Sequence, residues 1–108
     1  MNTRISATMF ELVYDIILER KQSSTDNSYV ASLMEKGTDS ILRKIGEESV
    51  EVILAVKNKN RKEQIHEITD LWFHLLVLMG HQGITLNEIS QELEDRLGQS
   101  GLGKKAQR

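Results

Sequence analysis

Hydrophobic side chains recur at three- and four-residue steps through most of the chain, which is the spacing of an α-helix. The pattern predicts a first helix that begins between Thr3 and Thr8 and ends at about Lys21. Its apolar positions fall on one predicted face: Ile5, Met9, Leu12, Val13, Ile16 and Ile17. The polar segment 22–27 is expected to form a loop.

Local signals delimit the next two predicted helices. Ser28 can cap a short helix, and Gly37 suits the end of that helix. Thr38 or Asp39 is then expected to cap a longer helix that reaches about Lys57. The apolar stripe of this third helix comprises Ile41, Leu42, Ile45, Val52, Ile53 and Val56.

The fourth predicted helix, residues 62–81, changes character along its length. Its start is amphipathic, but residues 71–79 are apolar on nearly every side except at His74. A helix that is apolar all round must be covered all round. In a chain of 108 residues a second subunit is the natural cover. The pattern therefore predicts a homodimer.

A glycine and a capping box mark the boundary between the fourth helix and the last predicted helix. Gly83 suits the end of the fourth helix, and the spacing of Thr85 and Glu88 predicts that a last helix follows. We expect one domain over residues 1–98 and a flexible tail over residues 99–108. The predicted fold class is all-α, a bundle of about five helices completed by dimerisation.

The composition supports helices and excludes several kinds of function. The chain has no proline and only 5% aromatic residues, which suits long helices better than a β-sandwich or barrel. Its net charge of -2 argues against a general nucleic-acid binder. The absence of cysteine excludes disulfides and thiolate metal sites. No long apolar run resembles a signal peptide or a membrane span, so a cytoplasmic location is expected.

Two pairs of carboxylates lie close to the predicted apolar stripes. On an ideal helix Glu48 points only about 20° from Ile41, and Glu51 lies on the flank of that stripe. Glu67 and Asp70 form a second pair on the fourth helix. If the two helices pack antiparallel, the four carboxylates converge, and a divalent cation would relieve their repulsion. Solvated surface charge remains an alternative interpretation, because such pairs are common on exposed faces.

At these residues the sequence resembles the all-α nucleotide pyrophosphatases, the superfamily of MazG and the dimeric dUTPases. The motif of that superfamily is Glu-Glu-x-x-Glu, a spacer and Glu-x-x-Asp, matched here at 47–51 and 67–70. Within it the chain most resembles the phosphoribosyl-ATP pyrophosphatase family, through segments at 19–21, 28–29, 44–46, 70–74 and 100–102. The resemblance implies hydrolysis of the α–β phosphate bond of phosphoribosyl-ATP. The products would be phosphoribosyl-AMP and pyrophosphate, in the second step of histidine biosynthesis.

The resemblance also implies a metal site and a catalytic base. The four paired carboxylates, Glu48, Glu51, Glu67 and Asp70, would hold one or more Mg²⁺ ions, with Mn²⁺ as an alternative. Glu47 is the candidate general base, because it precedes the first pair. On an ideal helix, however, it points about 100° away from Glu48, so a supporting or surface role stays open.

Five further side chains are candidates for binding the substrate. Lys44 lies beside the first acid pair, where it can receive phosphates or form an ion pair with a neighbouring glutamate. His74 shares the face of the second pair, as a substrate contact or a hydrogen-bonded core side chain. Tyr29 could stack on a base or ribose, or pack its own helix. Arg20 and Lys21 could contact phosphates, although cations at a helix C-terminus need no further explanation.

Three other functions remain open at this point. A housecleaning pyrophosphatase for free nucleoside triphosphates would use the same metal site. A carboxylate-bridged di-iron bundle needs two Glu-x-x-His pairs, and only Glu63 with His66 provides one. A dimeric helical module without enzymatic activity would leave the acidic face solvated.

Overall fold

The computed structural model describes the backbone of residues 2–23 and 28–98, and the side chains of residues 9–23 and 28–98. Five helices occupy these residues: α1 (Asn2–Arg20), α2 (Tyr29–Glu35), α3 (Thr38–Lys57), α4 (Arg61–Gln82) and α5 (Leu86–Gly98). No strand occurs within the described ranges. The predicted all-α class is therefore confirmed. The predicted tail at 99–108, most of the predicted loop at 22–27 and the side chain of Ile5 lie outside the described residues.

Local hydrogen bonds and glycine geometry set the start of α2, the end of α4 and the start of α5 at the residues that the sequence predicted. The Ser28 hydroxyl accepts a hydrogen bond from the backbone N–H of Ala31 at 3.2 Å. Thr85 and Glu88 form a reciprocal capping box. The backbone N–H of Thr85 donates to the Glu88 carboxylate at 2.8 Å. The Glu88 N–H donates to the Thr85 hydroxyl at 3.1 Å. Gly83 ends α4 with a φ of 76°, a left-handed conformation that glycine adopts without steric cost.

The start of α3 differs from the prediction. Gly37 occupies the N-cap position, and neither Thr38 nor Asp39 caps the helix through its side chain. Gly37 has a φ of 100°, which lets the chain turn directly from α2 into α3. The two predicted caps consequently lie inside the first turn, where the Asp39 carboxylate still faces the positive end of the helix dipole.

The core forms where α1, α2, α3 and α4 meet. Its buried side chains are Tyr14, Ile17, Val30, Leu33, Met34, Ile41, Leu76 and Val77. Gly80 lets α1 approach α4 closely, because a Cβ atom at that position would lie 3.1 Å from Cγ2 of Ile17. The hydroxyl of Tyr14 donates to the carbonyl of Ile84, which ties α1 to the segment between α4 and α5.

The predicted stripe of α1 is only partly buried. Ile17 is fully buried and Val13 is half-buried, as the stripe predicted. Met9 and Leu12, however, are 54% and 51% exposed, and Tyr14 is buried although it lies outside the stripe. The buried and exposed rows lie about 110° apart round the helix. The predicted apolar face of α1 is therefore covered only in part by the described residues, because α1 is apolar over a wider arc than its neighbours cover.

Helix α3 shows the same division. Ile41 is fully buried, and Ile45 and Val52 are half-buried. The other members of its predicted stripe are exposed: Leu42, Ile53 and Val56. Ala55, a small residue outside that stripe, is buried in their place.

An apolar groove of about 380 Å³ runs between α1 and α4. We call it the α1–α4 groove, and its lining includes Met9, Phe10, Val13, Ile68, Trp72 and Phe73. The indole of Trp72 stacks against the Phe10 ring with centroids 4.8 Å apart, yet Trp72 remains 49% exposed. A second apolar groove adjoins it towards α5, a helix with no buried residue. None of the described helices is long and apolar enough to cross a membrane.

Candidate active site

The short turn at residues 58–60 joins α3 and α4 into an antiparallel pair. The side chain of Asn60 accepts a hydrogen bond from the backbone N–H of Glu63 at 3.0 Å and so fixes the start of α4. Glu48 lies ten residues before the turn and Glu67 seven residues after it. Because the helices run in opposite directions, these two carboxylates meet across the helix pair.

Glu48 and Glu67 form the centre of an acidic cluster. Glu48 is buried, whereas Glu67 is half-buried. Burial is the largest cause that raises the pKa of Glu67 above its ordinary value, followed by a hydrogen bond with the Glu48 carboxyl group. The negative charges of Glu48 and Glu51 raise this pKa further, and His66 opposes the rise. Three of the four predicted metal ligands therefore act on one another across α3 and α4.

Asp70, the fourth predicted ligand, lies beside Glu67 on α4. Ligand atoms of His66, Glu67 and Asp70 all lie within 4.8 Å of one another. Nε2 of His66 is 3.4 Å from Oδ2 of Asp70. His66 was not among the predicted ligands of this metal site. Its four-residue spacing from Asp70 on one helix is the signal that points to it.

Lys44 brings a positive charge to the edge of this cluster. Its Nζ lies 3.4 Å from Oε2 of Glu48 and 3.7 Å from Oε1 of Glu47. Burial lowers the pKa of Lys44, but Tyr29, Glu48 and Glu47 raise it, so the pKa lies above its ordinary value. Lys44 is therefore charged at neutral pH, and its side chain remains one-third exposed. The Glu47 carboxylate is more exposed than that of Glu48, at the outer edge of the cluster.

Tyr29 and His74 form a pair beside the acids. The Tyr29 hydroxyl lies 2.8 Å from Nε2 of His74, and Nδ1 of His74 lies 2.8 Å from the backbone carbonyl oxygen of Asp70. Burial is the main reason that the pKa of Tyr29 lies above its ordinary value. Lys44 opposes this shift, and three nearby carboxylates add to it, those of Glu47, Glu48 and Asp70. The structure thus places Tyr29 from α2 next to the acidic cluster.

Arg20 and Lys21 lie elsewhere. Nζ of Lys21 donates to the backbone carbonyl of Gly80 at 3.1 Å. Gly80 is ten residues beyond Asp70, which corresponds to about 15 Å along α4. Arg20 is exposed at the end of α1. The structure does not bring these two cations into the acidic cluster, and their contact with substrate phosphates stays a prediction.

The residues of the cluster suit a hard divalent cation. Carboxylate oxygens dominate the set, and oxygen ligands are those that Mg²⁺ and Mn²⁺ prefer. Burial and the hydrogen bond with Glu48 are the main causes of the raised pKa of Glu67, and repulsion by the negative charges of Glu48 and Glu51 adds to it. Since a bound cation would reverse this repulsion, Glu48, Glu51, Glu67 and Asp70 fit the binding of a metal ion.

Known proteins resemble this chain over most of its length. Residues 10–97 match the family model described as phosphoribosyl-ATP pyrophosphohydrolase. The phosphoribosyl-ATP pyrophosphatase of Geobacter metallireducens is 49% identical over 100 residues, which cover 93% of this chain and 92% of that protein. The protein of the same name from Methanosarcina acetivorans is 54% identical over 86 residues, which cover 78% and 83% of the two chains. This chain therefore belongs to the phosphoribosyl-ATP pyrophosphohydrolase family.

Proposed function

We propose that this chain hydrolyses phosphoribosyl-ATP between its α and β phosphates, releasing phosphoribosyl-AMP and pyrophosphate in histidine biosynthesis. Family membership supports the reaction, since relatives about 50% identical over most of their length carry that enzyme's name. The observation that carries the proposal is the meeting of Glu48 and Glu67 from two different helices. Surface carboxylates that serve only solubility have no reason to converge in this way.

The metal proposed for this site is Mg²⁺, with Mn²⁺ as an alternative, held by Glu48, Glu51, Glu67 and Asp70. When bound, such an ion would neutralise phosphate charge and polarise the phosphorus centre. His66 lies within reach of Asp70 and would orient that carboxylate through its 3.4 Å contact. Oxygen ligation by the four acids favours Mg²⁺ over Zn²⁺.

Two residues of α3 would act on the reacting groups directly. Lys44 is charged, partly exposed and adjacent to the acids, so it can bind a phosphate oxygen without leaving the cluster. Glu47 is the proposed general base. Its carboxylate is exposed and lies apart from the contact between Glu48 and Glu67, so it can accept a proton from an attacking water molecule.

The Tyr29–His74 pair, through its Tyr29 hydroxyl, and the cations Arg20 and Lys21 would bind other parts of the substrate. Tyr29 and His74 lie next to the acids, on the side where α2 meets α4. Lys21 contacts Gly80, about 15 Å further along α4, and Arg20 precedes it in the chain. Phosphoribosyl-ATP has phosphate groups at both ends, so we propose that its distant phosphate approaches Arg20 and Lys21.

Pyrophosphate release from phosphoribosyl-ATP tests the proposed function, with ATP and dUTP as competing substrates. We expect release from phosphoribosyl-ATP in Mg²⁺ and none in EDTA. Release only from ATP or dUTP would contradict the proposed substrate but retain the metal site. Release from phosphoribosyl-ATP at an unchanged rate in EDTA would contradict the metal site.

We also propose that the chain is a homodimer. The support is the exposed apolar surface of the α1–α4 groove, where Met9 and Trp72 stay about half exposed. Apolar side chains that stay exposed side by side in a groove are typical of surfaces that contact another protein. A second copy would cover the groove with the same surface, as the two-fold symmetry of most dimers requires. Sedimentation should then give twice the 12.3 kDa of one chain.

A further inference from the structure

His74 links a half-exposed tyrosine to the backbone of α4. Its side chain is only 5% exposed, while Tyr29 is 53% exposed. The Tyr29 and Phe73 rings lie nearly perpendicular to its imidazole, with centroids 5.8 Å and 5.3 Å away. Both ring nitrogens of His74 already have protein partners. Buried and fully paired, His74 has no nitrogen left for a substrate.

The partner of Nδ1 determines the direction of both hydrogen bonds. A backbone carbonyl oxygen can only accept, so Nδ1 of His74 must carry the hydrogen that it donates to Asp70. In a neutral imidazole Nε2 is then an acceptor, and the Tyr29 hydroxyl must donate to it. The Tyr29 oxygen consequently keeps only its lone pairs for another partner.

That oxygen lies among charged groups of the site. Lys44, Glu48 and Asp70 all act electrostatically on the Tyr29 phenol. A phosphate oxygen is an acceptor and gains nothing from a hydroxyl whose only hydrogen is already donated. A ribose hydroxyl or an amino group, by contrast, can donate to the free lone pairs. The charged Lys44 therefore favours a phosphate group of the substrate, and the Tyr29 oxygen favours a group that donates a hydrogen bond.

We propose that His74 is a positioning residue that holds the Tyr29 hydroxyl as a fixed hydrogen-bond acceptor for a hydroxyl or amino group of the nucleotide substrate. This inference rests on the proposed function and refines the way in which the site recognises its substrate. A competing explanation is purely structural, in which the Tyr29–His74 hydrogen bond only ties α2 to α4. The two explanations differ in their kinetic and spectroscopic consequences.

Matched substitutions separate the two nitrogens of His74. Asparagine at position 74 retains a donor at the position of Nδ1 but has no group at the position of Nε2. Glutamine places an acceptor at the position of Nε2. Tyr29→Phe removes the hydroxyl and leaves the ring. Tyr14→Phe is the control, because the hydroxyl of the only other tyrosine bonds to Ile84 outside the acidic cluster.

Steady-state kinetics with phosphoribosyl-ATP and Mg²⁺ give the first readout. We expect Tyr29→Phe to raise KM about fivefold, which corresponds to the loss of one net hydrogen bond. The value of kcat should stay nearly unchanged, because this hydrogen bond is equally strong in the ground state and the transition state. His74→Asn should raise KM by the same factor as Tyr29→Phe, and the variant that combines both substitutions should have no higher KM than either alone. His74→Gln should have a KM close to that of the wild type. Tyr14→Phe should leave KM unchanged. Additive losses in the double variant, or an unchanged KM in Tyr29→Phe, would overturn the proposal.

The tautomer of His74 gives a second readout that needs no activity. Long-range proton–nitrogen NMR on the wild-type chain should show a neutral imidazole with hydrogen on Nδ1, assigned among three histidines by its loss in His74→Gln. Hydrogen on Nε2 would overturn the proposal even in an active enzyme. If the wild type releases no pyrophosphate, the proposed function fails and the substrate contact fails with it. The tautomer of His74 then still shows the direction of the Tyr29–His74 hydrogen bond, because this measurement does not depend on activity.

Discussion

Helix α4 takes part in two different surfaces, and a single chain supplies the partners of only one of them. The acidic cluster on its α3 side has protein partners for its polar groups, including Lys44, His66 and the Tyr29–His74 pair. The α1–α4 groove on the other side leaves Trp72 about half exposed. The polar groups of the cluster thus find their partners within one chain, whereas the apolar surface of the groove stays partly uncovered among the described residues.

The two surfaces also need different partners. The acidic cluster sets four carboxylates against the nearby lysine and histidine. Repulsion by Glu48 and Glu51 contributes to the raised pKa of Glu67, after burial and the hydrogen bond with Glu48. A bound cation would relieve that repulsion. The groove has almost no charge. Its surface is stabilised when apolar atoms cover it, with a favourable free energy of about 25 cal/mol per Å² of apolar surface buried. Four experiments distinguish the surfaces, beginning with the largest expected effect.

Placing a charge in the groove should dissociate the proposed dimer. In Trp72→Glu a carboxylate would be buried at the interface without a partner, and we expect the dimer dissociation constant to rise at least about 1,000-fold, or about 4 kcal/mol. Analytical ultracentrifugation across a concentration series measures this change.

Ile53→Glu is the matched control for that substitution. Ile53 is an apolar side chain 59% exposed on α3, outside the groove lining. The substitution Ile53→Glu should therefore leave the dimer intact. Dissociation by Ile53→Glu but not by Trp72→Glu would move the interface from the groove to the outer surface of α3.

Removing one central carboxylate should abolish most of the activity. Glu48→Gln keeps the volume of the side chain but removes its charge, so pyrophosphate release should fall at least about 100-fold. Loss of residues that merely support a metal ligand already lowers activity by about 10–100-fold. Glu94→Gln, on the exposed surface of α5, is the control and should retain wild-type activity. Equal rates in the two variants would contradict a catalytic role for the cluster.

Mg²⁺ should stabilise the folded chain through the same carboxylates. At a concentration one hundred times its dissociation constant, a ligand specific for the folded state adds about 2.7 kcal/mol to the free energy of unfolding. Urea unfolding in Mg²⁺ and in NaCl of equal ionic strength measures the difference. Asp70→Asn should lose most of this increment. An equal gain in the wild type and Asp70→Asn would indicate a general salt effect.

The smallest expected effect concerns Tyr14, beside the apolar surfaces. Tyr14→Phe removes the hydrogen bond to Ile84 and should lower the free energy of unfolding by about 1 kcal/mol near neutral pH. Burial, with a smaller contribution from Glu88, raises the folded-state pKa of Tyr14. The stability that this shift provides is therefore present below about pH 10, the unfolded value, and is lost as the pH rises through the folded pKa. The difference from Tyr14→Phe should shrink above pH 10, and a difference that grows there would contradict this explanation.

The ends of the helices could be predicted closely because capping depends on a few neighbouring residues. Ser28, Gly83 and the pair Thr85 with Glu88 act within one turn, and each has the predicted role. The start of α3 was predicted wrongly, because Thr38 and Asp39 are both acceptable caps by residue type. What excluded them was the direction in which Gly37 turns the chain into α3.

The meeting of the two acid pairs could be predicted, but most other contacts of the acidic cluster could not. Two acid pairs on consecutive helices, with a short turn between them, indicated that Glu48 and Glu67 could meet. The four-residue spacing of His66 and Asp70 permits a contact, but only the side-chain conformations decide that their ligand atoms lie together with that of Glu67. Nor could it show that Tyr29, from a separate short helix, bonds to His74 across 45 positions of sequence.

By itself, the sequence determined the all-α class, the approximate helix boundaries and the acid motif, because each follows from spacing along a helix or from residues within one turn. Only the tertiary structure decided which apolar row of α1 is buried and which partners surround Tyr29. A helix that is apolar over a wide arc can pack in several orientations with similar hydrophobic gain. The angle between helices selects one of them, and that angle is set by all the contacts together.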